Sequence, residues 1–459
     1  MQKKISVIGL GKLGASMVAA IASRGFEVIG VDVNQKSVDA VNAGREPVQE
    51  TDLEKYISKY KERISATMSH EEAILNSDLS FVIVPTPSDE KGSFSLQYAA
   101  WAFKEIGKAL AKKEGYHLVV LTSTVLPGAT RFGLLPILEK ESGKKCGTDF
   151  GLCYSPEFIA LGSVIRDFLN PDFTLVGEFD ERSGKELEEF YSQVMFGSAP
   201  CKRMSLENAE LTKISVNTFV TTKITFANML ADLCERIPGG NVDIVTDALG
   251  TDSRIGRKYL TGALGYGGPC FPRDNVALSY MARTLNSCAD IAETTDRVNR
   301  SMADTITEKL RPIIKKGKTV AILGLAYKPS SHVVEESQGV YLGKTLSEAG
   351  ARVVAYDPLA NESANAELNG KIVILESAKK CLDQADIVLI TTADDEFKQL
   401  AAKDFVVDGK EVTVYDFWRI LKEQLSGIEK INYIPIGCGT NDETQSQFLK
   451  ELWGNEANI

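Results

Sequence analysis

The chain has 459 residues, 44% of them hydrophobic and 25% charged, and a net charge of -10. That length exceeds what one hydrophobic core organises and predicts about three domains, while the ordinary composition and acidic balance argue against nucleic acid or an anionic membrane as the main partner. Eight scattered cysteines without a C-x-x-C pair fit a reducing cytoplasm, and three distant histidines, His70, His117 and His332, lack the spacing of a metal site or a Ser-His-Asp triad.

The opening Met1-Gln2-Lys3-Lys4 passes straight into Ile5-Ser6-Val7-Ile8, a strand-like run too short for a signal peptide or a membrane span, so a cytoplasmic protein is expected. The run leads into Gly9-Leu10-Gly11-Lys12-Leu13-Gly14. Residues 15–23 read as helix, and Glu27-Val28-Ile29-Gly30-Val31-Asp32 reads as a second strand ending in an acid. A G-x-G-x-x-G turn in this full context predicts a dinucleotide site. Gly9 makes the turn, Gly11 lets a pyrophosphate approach, and Gly14 lets the helix pack on the strand. The helix start offers N–H groups to the phosphates. Asp32 is placed to bond the ribose hydroxyls and repel a 2′-phosphate, which favours NAD over NADP.

Two further buried-strand runs end at Pro85-Thr86-Pro87 and at Thr122-Ser123-Thr124. Strand C-termini of an open parallel sheet carry the ligand, so Thr86, Ser123 and Thr124 are candidate cofactor contacts, although helix capping accounts for such hydroxyls equally well. Gly151-Leu152-Cys153-Tyr154 leads to Ser155-Pro156-Glu157-Phe158, again an acid just past a strand. Thr174-Leu175-Val176-Gly177 reads as the last strand of a domain closing near residue 200. Residues 206–236 then show apolar recurrence at helical spacing. A helix of that length suggests a domain-bridging or dimer-forming element. Lys213 and Asn217 lie four apart and share a face, as they would also do on an ordinary solvated helix.

The next feature is Gly265-Tyr266-Gly267-Gly268-Pro269-Cys270-Phe271-Pro272-Arg273-Asp274. Adjacent glycines let the backbone approach a ligand, prolines stiffen the loop, and a carboxylate follows the thiol at one helical turn. A tight turn around an inert, buried cysteine accounts for the same ten residues. A second long helix is expected over residues 289–315. After it, Thr319-Val320-Ala321-Ile322-Leu323-Gly324, the run ending at Asp357 and the run ending at Thr391-Thr392 repeat the opening theme. They imply a second doubly wound domain whose turn lacks the full glycine set, with Lys328 offering a point charge to a phosphate. The polar stretch beyond Gly437 suggests no role. The fold class expected is α/β, two doubly wound Rossmann-like domains joined by a central long-helix dimerisation domain, with boundaries at 1–200, 201–316 and 317–459.

With these motifs in order, the chain resembles the UDP-glucose/GDP-mannose dehydrogenase family over nearly its whole length. The matches are the GLGKLG turn, the loop from Asn42 to Glu50, Thr86-Pro87, Ser123-Thr124-Val125, Ser155-Pro156-Glu157-Phe158, Glu210-Leu211-x-Lys213-x-x-x-Asn217, Arg254-Ile255-Gly256, GYGGPCFPRD and Gly324-Leu325-Ala326-Tyr327-Lys328-Pro329. The resemblance implies four-electron oxidation of a sugar-nucleotide C6 alcohol with two NAD and one water, in a cytoplasmic homodimer or larger assembly without metal. By matching position, Cys270 would be the nucleophile, Lys213 and Asn217 would stabilise the oxyanion, Asp274 with Lys213 would deprotonate the alcohol through an ordered water, and Glu157 would activate the hydrolytic water. Thr124 joins the catalytic set. The cofactor set is Gly9, Gly11, Leu13, Gly14, Asp32, Thr86, Pro87, Ser123 and Thr124. The sugar-nucleotide set is Glu157, Phe158, Lys213, Asn217, Tyr259, Tyr266, Gly267 and Lys328, with Arg254 reaching a neighbouring subunit.

Three positions depart from the family pattern: Leu161 where a second Glu is usual, Glu335 where an Arg is usual, and Met229 after Asn228 where Glu is usual. UDP-glucose is the expected substrate, with a UDP-N-acetylhexosamine or GDP-mannose as alternatives, and an inactive sugar-nucleotide-binding protein as the reading from another class.

Overall fold

A computed structural model describes residues 3–159, 162–314, 317–406, 409–440 and 443–454. By contact density the chain falls into two compact units, residues 1–216 with 280–287, and residues 217–279 with 288–459.

The first unit is built on an eight-stranded sheet. Its strands are β1 (Ile5–Ile8), β2 (Val28–Val31), β3 (Ile64–Thr67), β4 (Leu79–Val82), β5 (Leu118–Leu121), β6 (Gly151–Tyr154), β7 (Thr174–Glu178) and β8 (Cys201–Ser205). They lie in the order β3-β2-β1-β4-β5-β6-β7-β8, parallel throughout except where β7 runs antiparallel to β6. β8 extends this sheet past the expected closure near residue 200, because its five residues pair in register with all of β7. Nearly every residue of β1, β4, β5 and β6 is buried, as a sheet covered by helices on both faces requires. One face packs on the helix Lys12–Ser23 and the other on the helix Gln97–Lys112.

The second unit repeats the architecture with β9 (Thr319–Leu323), β10 (Arg352–Tyr356), β11 (Val373–Ile374), β12 (Ile387–Ile390), β13 (Val412–Asp416) and β14 (Ile431–Pro435). The order is β11-β10-β9-β12-β13-β14, all parallel. Both sheets therefore reverse direction between their first and fourth strands, the switch point at which a doubly wound sheet opens a ligand crevice.

The helix Leu206–Arg236 matches its predicted span and contributes residues to both units. The expected single helix over 289–315 is instead two, Asp290–Arg300 and Met302–Ile314. Ser301 ends the first, its N–H bonding the Arg297 carbonyl at 3.1 Å, and starts the second, its carbonyl accepting from the Thr305 N–H at 3.0 Å. Apolar periodicity carried no trace of that break, because both helices bury one stripe. Lys315 and Lys316, read as ending this stretch, lie outside the described residues, as does Leu161.

Candidate active site

In the first unit, the glycine turn has the geometry a dinucleotide needs. Gly9 takes φ +103°, and a Cβ there would lie 2.0 Å from the Ile83 carbonyl oxygen. A Cβ on Gly14 would lie 1.8 Å from the Gly9 oxygen, whereas one on Gly11 meets no protein atom within 4 Å. Gly11 precedes the helix Lys12–Ser23, and no side chain caps that end, the arrangement in which a phosphate can serve as the cap. Asp32, partly exposed, accepts from the Leu10 N–H on one oxygen at 2.7 Å and from the Asn34 N–H on the other at 2.8 Å. Each carboxylate oxygen has a further lone pair with which to accept from a ribose hydroxyl. These residues fit NAD.

The candidate hydroxyls do a different job from capping. Ser123 Oγ accepts from the Val84 N–H at 2.9 Å and donates to the Val84 carbonyl at 2.7 Å. Thr86 Oγ1 donates to the Thr124 carbonyl at 2.7 Å. Together they stitch the loops following β4 and β5 beside the switch point, leaving Thr124 and Pro87 more exposed than Ser123 and Thr86.

The same unit holds Glu157. Lys213 is buried, donates to the Glu157 carbonyl at 2.6 Å and lies 4.6 Å from the centroid of the Phe158 ring. Burial pushes the Glu157 carboxyl up to about 7, and the Lys213 cation opposes the shift. Ser155, two residues earlier, donates to the Leu175 carbonyl at 2.8 Å. Its single proton is spent there, so the Tyr191 hydroxyl is the donor in their 2.7 Å contact. Glu210, one turn before Lys213, is fully buried and accepts from the N–H groups of Gly128 at 2.6 Å and Thr130 at 2.8 Å. It thereby fixes the segment leaving Thr124. The sequence placed Glu210 in a motif without a role, because its burial and its two backbone partners appear only in the folded structure.

In the second unit, Cys270 is exposed, which removes the inert buried-thiol reading. It immediately precedes the helix Phe271–Thr284, and its carbonyl closes the first turn by accepting from the Asp274 N–H at 2.9 Å. A helix N-terminus favours the thiolate. Asp274 is buried and accepts from the Asn217 amide at 2.6 Å on one oxygen, while the Arg273 guanidinium lies 3.6 Å from the other, so the carboxylate one turn from the thiol is held by a neutral donor and a cation.

The glycines before Cys270 meet the second sheet's turn. A Cβ on Gly267 would lie 2.4 Å from the Glu336 oxygen, and one on Gly268 (φ +84°) would lie 2.6 Å from the Tyr327 ring. The Gly268 N–H donates to the Glu335 carbonyl at 2.8 Å. This contact is through backbone, so it is indifferent to the Arg-to-Glu departure at 335, whose side chain is exposed. Tyr327 has its phenol pushed up to about 12 by burial and by the charge of Cys270. Lys328 is partly exposed beside that ring. Tyr266 is buried, and its hydroxyl accepts from Asn275 at 2.9 Å. Tyr259 is half exposed at φ +67°. Arg254 is exposed and paired to Asp252 at 2.6 Å. Asn228 brackets Ala263 and Leu264 through both its amide atoms, while the divergent Met229 faces outward.

The second turn explains why this sheet differs from the first. Gly324 and Gly339 repeat the Gly9–Gly14 contact, a Cβ on Gly339 falling 2.2 Å from the Gly324 oxygen, but fifteen residues separate them instead of five. The insert carries Tyr327 and Lys328. Asp357, the counterpart of Asp32, is buried and accepts four backbone N–H groups, from Leu325, Ala326, Leu359 and Ala360, at 2.8–2.9 Å. Its lone pairs are used, so it offers a ribose nothing.

Three family models match, described as the NAD binding domain, the central domain and the UDP binding domain of the UDP-glucose/GDP-mannose dehydrogenase family, over residues 3–195, 207–301 and 321–423. The UDP-glucose 6-dehydrogenase of Haloferax volcanii is 34% identical over 419 residues, covering 89% of this chain and 97% of that one. The chain belongs to the UDP-glucose/GDP-mannose dehydrogenase family. Within it, the GDP-mannose 6-dehydrogenase of Pseudomonas putida is also 34% identical, over 412 residues, with 87% of this chain and 93% of that one covered. A UDP-glucose dehydrogenase structure from Pyrobaculum islandicum superposes with a TM-score of 0.85 at 34% identity, covering 95% of this chain and 98% of that one. The protein is thus an NAD-dependent oxidoreductase of this family. Among the described residues, no helix is long and apolar enough to cross a membrane, and no His/Cys/Asp/Glu group could hold a metal.

Proposed function

We propose that the chain oxidises the C6 alcohol of a nucleotide sugar to a carboxylate, UDP-glucose to UDP-glucuronate, through a covalent intermediate on Cys270. The observation that carries this reading is an exposed thiol at a helix N-terminus, one turn before a buried carboxylate held by Asn217. A two-electron dehydrogenase has no use for such a thiol. NAD supplies a hydride acceptor for each of two oxidations, so two are consumed per sugar.

Asp274, working with Lys213, takes the alcohol proton as the first hydride leaves. The Cys270 thiol adds to the C6 aldehyde, forming a C–S bond, while the Lys213 ammonium and Asn217 amide stabilise the developing oxyanion before it is protonated. Loss of a second hydride and the hydroxyl proton gives a thioester. Glu157 takes a proton from the water that attacks the thioester carbonyl, the C–S bond breaks, and the thiolate leaves. An acid whose pKa is raised to about 7 is matched to accepting a proton near neutrality.

Identity to UDP-glucose dehydrogenases supports UDP-glucose, and the Pro156-Glu157-Phe158 sequence, which resembles the glucose and mannose branches alike, speaks against an N-acetylhexosamine. The equal identity of the Pseudomonas putida relative favours GDP-mannose as the second reading. Tyr259, Lys328 and a partner's Arg254 are proposed to line the sugar-nucleotide pocket, in a homodimer formed through the exposed Phe219, Phe226, Met229 and Leu233 of the long helix. A division into residues 1–200, 201–316 and 317–459, with β8 joined to the first part because it pairs with β7, completes the reading.

Incubation with NAD and a panel of sugar nucleotides tests it. Two NADH per sugar are expected, fastest with UDP-glucose, and Cys270→Ala is expected to bind the sugar nucleotide without releasing uronate. One NADH per sugar, or turnover by Cys270→Ala, removes the thioester. No NADH with any sugar leaves only a binding protein.

A further inference from the structure

Arg419 stands just beyond β13, at the C-terminal edge of the second sheet, where an open parallel sheet receives its ligand. A guanidinium in that place invites reading as a phosphate ligand. Its donors are instead spent within the protein. Nε and Nη2 form a fork onto the Asp243 carboxylate at 2.7 and 2.8 Å, and Nη2 also donates to the Thr261 carbonyl at 3.0 Å. Nη1 faces the carbonyls of Gly262 at 2.9 Å, Phe417 at 3.0 Å and Ile436 at 2.8 Å. Five N–H groups meet six acceptors, and the side chain is 3% exposed. The backbone is held at φ +58°, a conformation a non-glycine residue keeps only where its surroundings enforce it.

What this side chain grips gives the arrangement its meaning. Thr261 and Gly262 begin the segment that ends at Cys270. From there, Asn228 holds Ala263 and Leu264, Asn299 holds both the N–H and the carbonyl of Tyr266, and Glu335 accepts from Gly268. Phe417 and Ile436 lie just past the ends of β13 and β14. One guanidinium therefore ties the ligand edge of the second sheet to the first residues of the thiol loop.

We propose that Arg419 is a positioning residue that registers the Thr261–Cys270 segment against the ligand edge of the second sheet, and that it takes no phosphate itself. Its effect on catalysis rests on the sugar-nucleotide reading above; the clasp itself does not.

The test uses the full-length protein with Arg419→Lys, which keeps the cation but cannot make the fork, and Asp243→Asn, a milder change at a half-exposed partner. Hydrogen exchange and the iodoacetamide reactivity of Cys270, both resolved by peptide mass spectrometry, are measured beside NAD affinity and steady-state kinetics. Arg419→Lys is expected to speed exchange in residues 257–268 by about tenfold, to change the Cys270 alkylation rate by about threefold, and to raise the sugar-nucleotide KM by about tenfold with NAD affinity within about twofold. Asp243→Asn is expected to move the same quantities in the same direction by less. Unchanged exchange in this segment with weakened UDP binding identifies a phosphate ligand and overturns the proposal. Exchange rising everywhere, with NAD affinity falling in parallel, identifies general destabilisation and also overturns it. If the wild-type protein oxidises no sugar nucleotide, the functional reading fails, and exchange and alkylation still decide the clasp.

Discussion

Glu157 shows how much one residue's chemistry depends on what surrounds it. The sequence places an acid after a strand; burial lifts its carboxyl to about 7, against the opposing pull of Lys213. A base must be ionised to act, so thioester hydrolysis is expected to rise with pH through about 7 and level off above it. Glu157→Gln is expected to abolish that limb and lower kcat by about 100-fold, read from single-turnover release of uronate across pH. A limb that survives in Glu157→Gln assigns the base elsewhere. Cys270 and Lys213 were legible as residue types in motifs, and so was Asp274. The Asn217–Asp274 bond was not, because its partners are 57 residues apart and only packing brings them together.

At the scale of the element, the glycine turn separates two roles that one motif merges. Gly14 is required by the protein itself, since a methyl group there would overlap the Gly9 carbonyl, while Gly11 faces no protein atom. Gly14→Ala is therefore expected to lower the melting temperature sharply or prevent folding. Gly11→Ala is expected to melt like the wild type yet weaken NAD binding by about tenfold, its methyl intruding where the pyrophosphate approaches. Thermal melts with NAD titration check both; equal loss of stability in the two variants would contradict this division. The long helix was legible end to end, because thirty-one residues without an internal proline or glycine leave little choice. The break at Ser301 was not, since helix capping by backbone carbonyls has no apolar signature.

Across the whole molecule, both sheets bury polar groups that only the assembled fold satisfies. His117 is fully buried before β5, its Nδ1 donating to the Ser77 carbonyl at 3.1 Å, so Nε2 accepts from Ser80 at 2.8 Å, and Ser80 in turn pairs with Ser6 of β1. Burial, reinforced by Lys113, depresses its pKa from 6.5 to about 3. The folded state thus holds a neutral imidazole where the unfolded chain would protonate. This contribution to stability is complete above pH 6.5 and declines as pH falls toward 3, by up to about 1.4 kcal/mol per pH unit. Denaturant melts at descending pH are expected to show this loss, and His117→Asn, less stable at neutral pH, is expected to show a flatter decline. A parallel decline in the variant would place the acid sensitivity in other groups.

The sequence alone determined the glycine turn and its acid, the thiol loop, the long helix and the repeat of the doubly wound theme, because local periodicity and turn chemistry encode these within a few tens of residues. Tertiary structure decided what the repeat is for. Asp32 and Asp357 look alike in sequence, yet one accepts two backbone amides and the other spends its lone pairs on four. The same holds for Arg419, which no motif singled out. Hydrogen-bonding capacity is finite, and which partners use it is fixed only when distant segments meet.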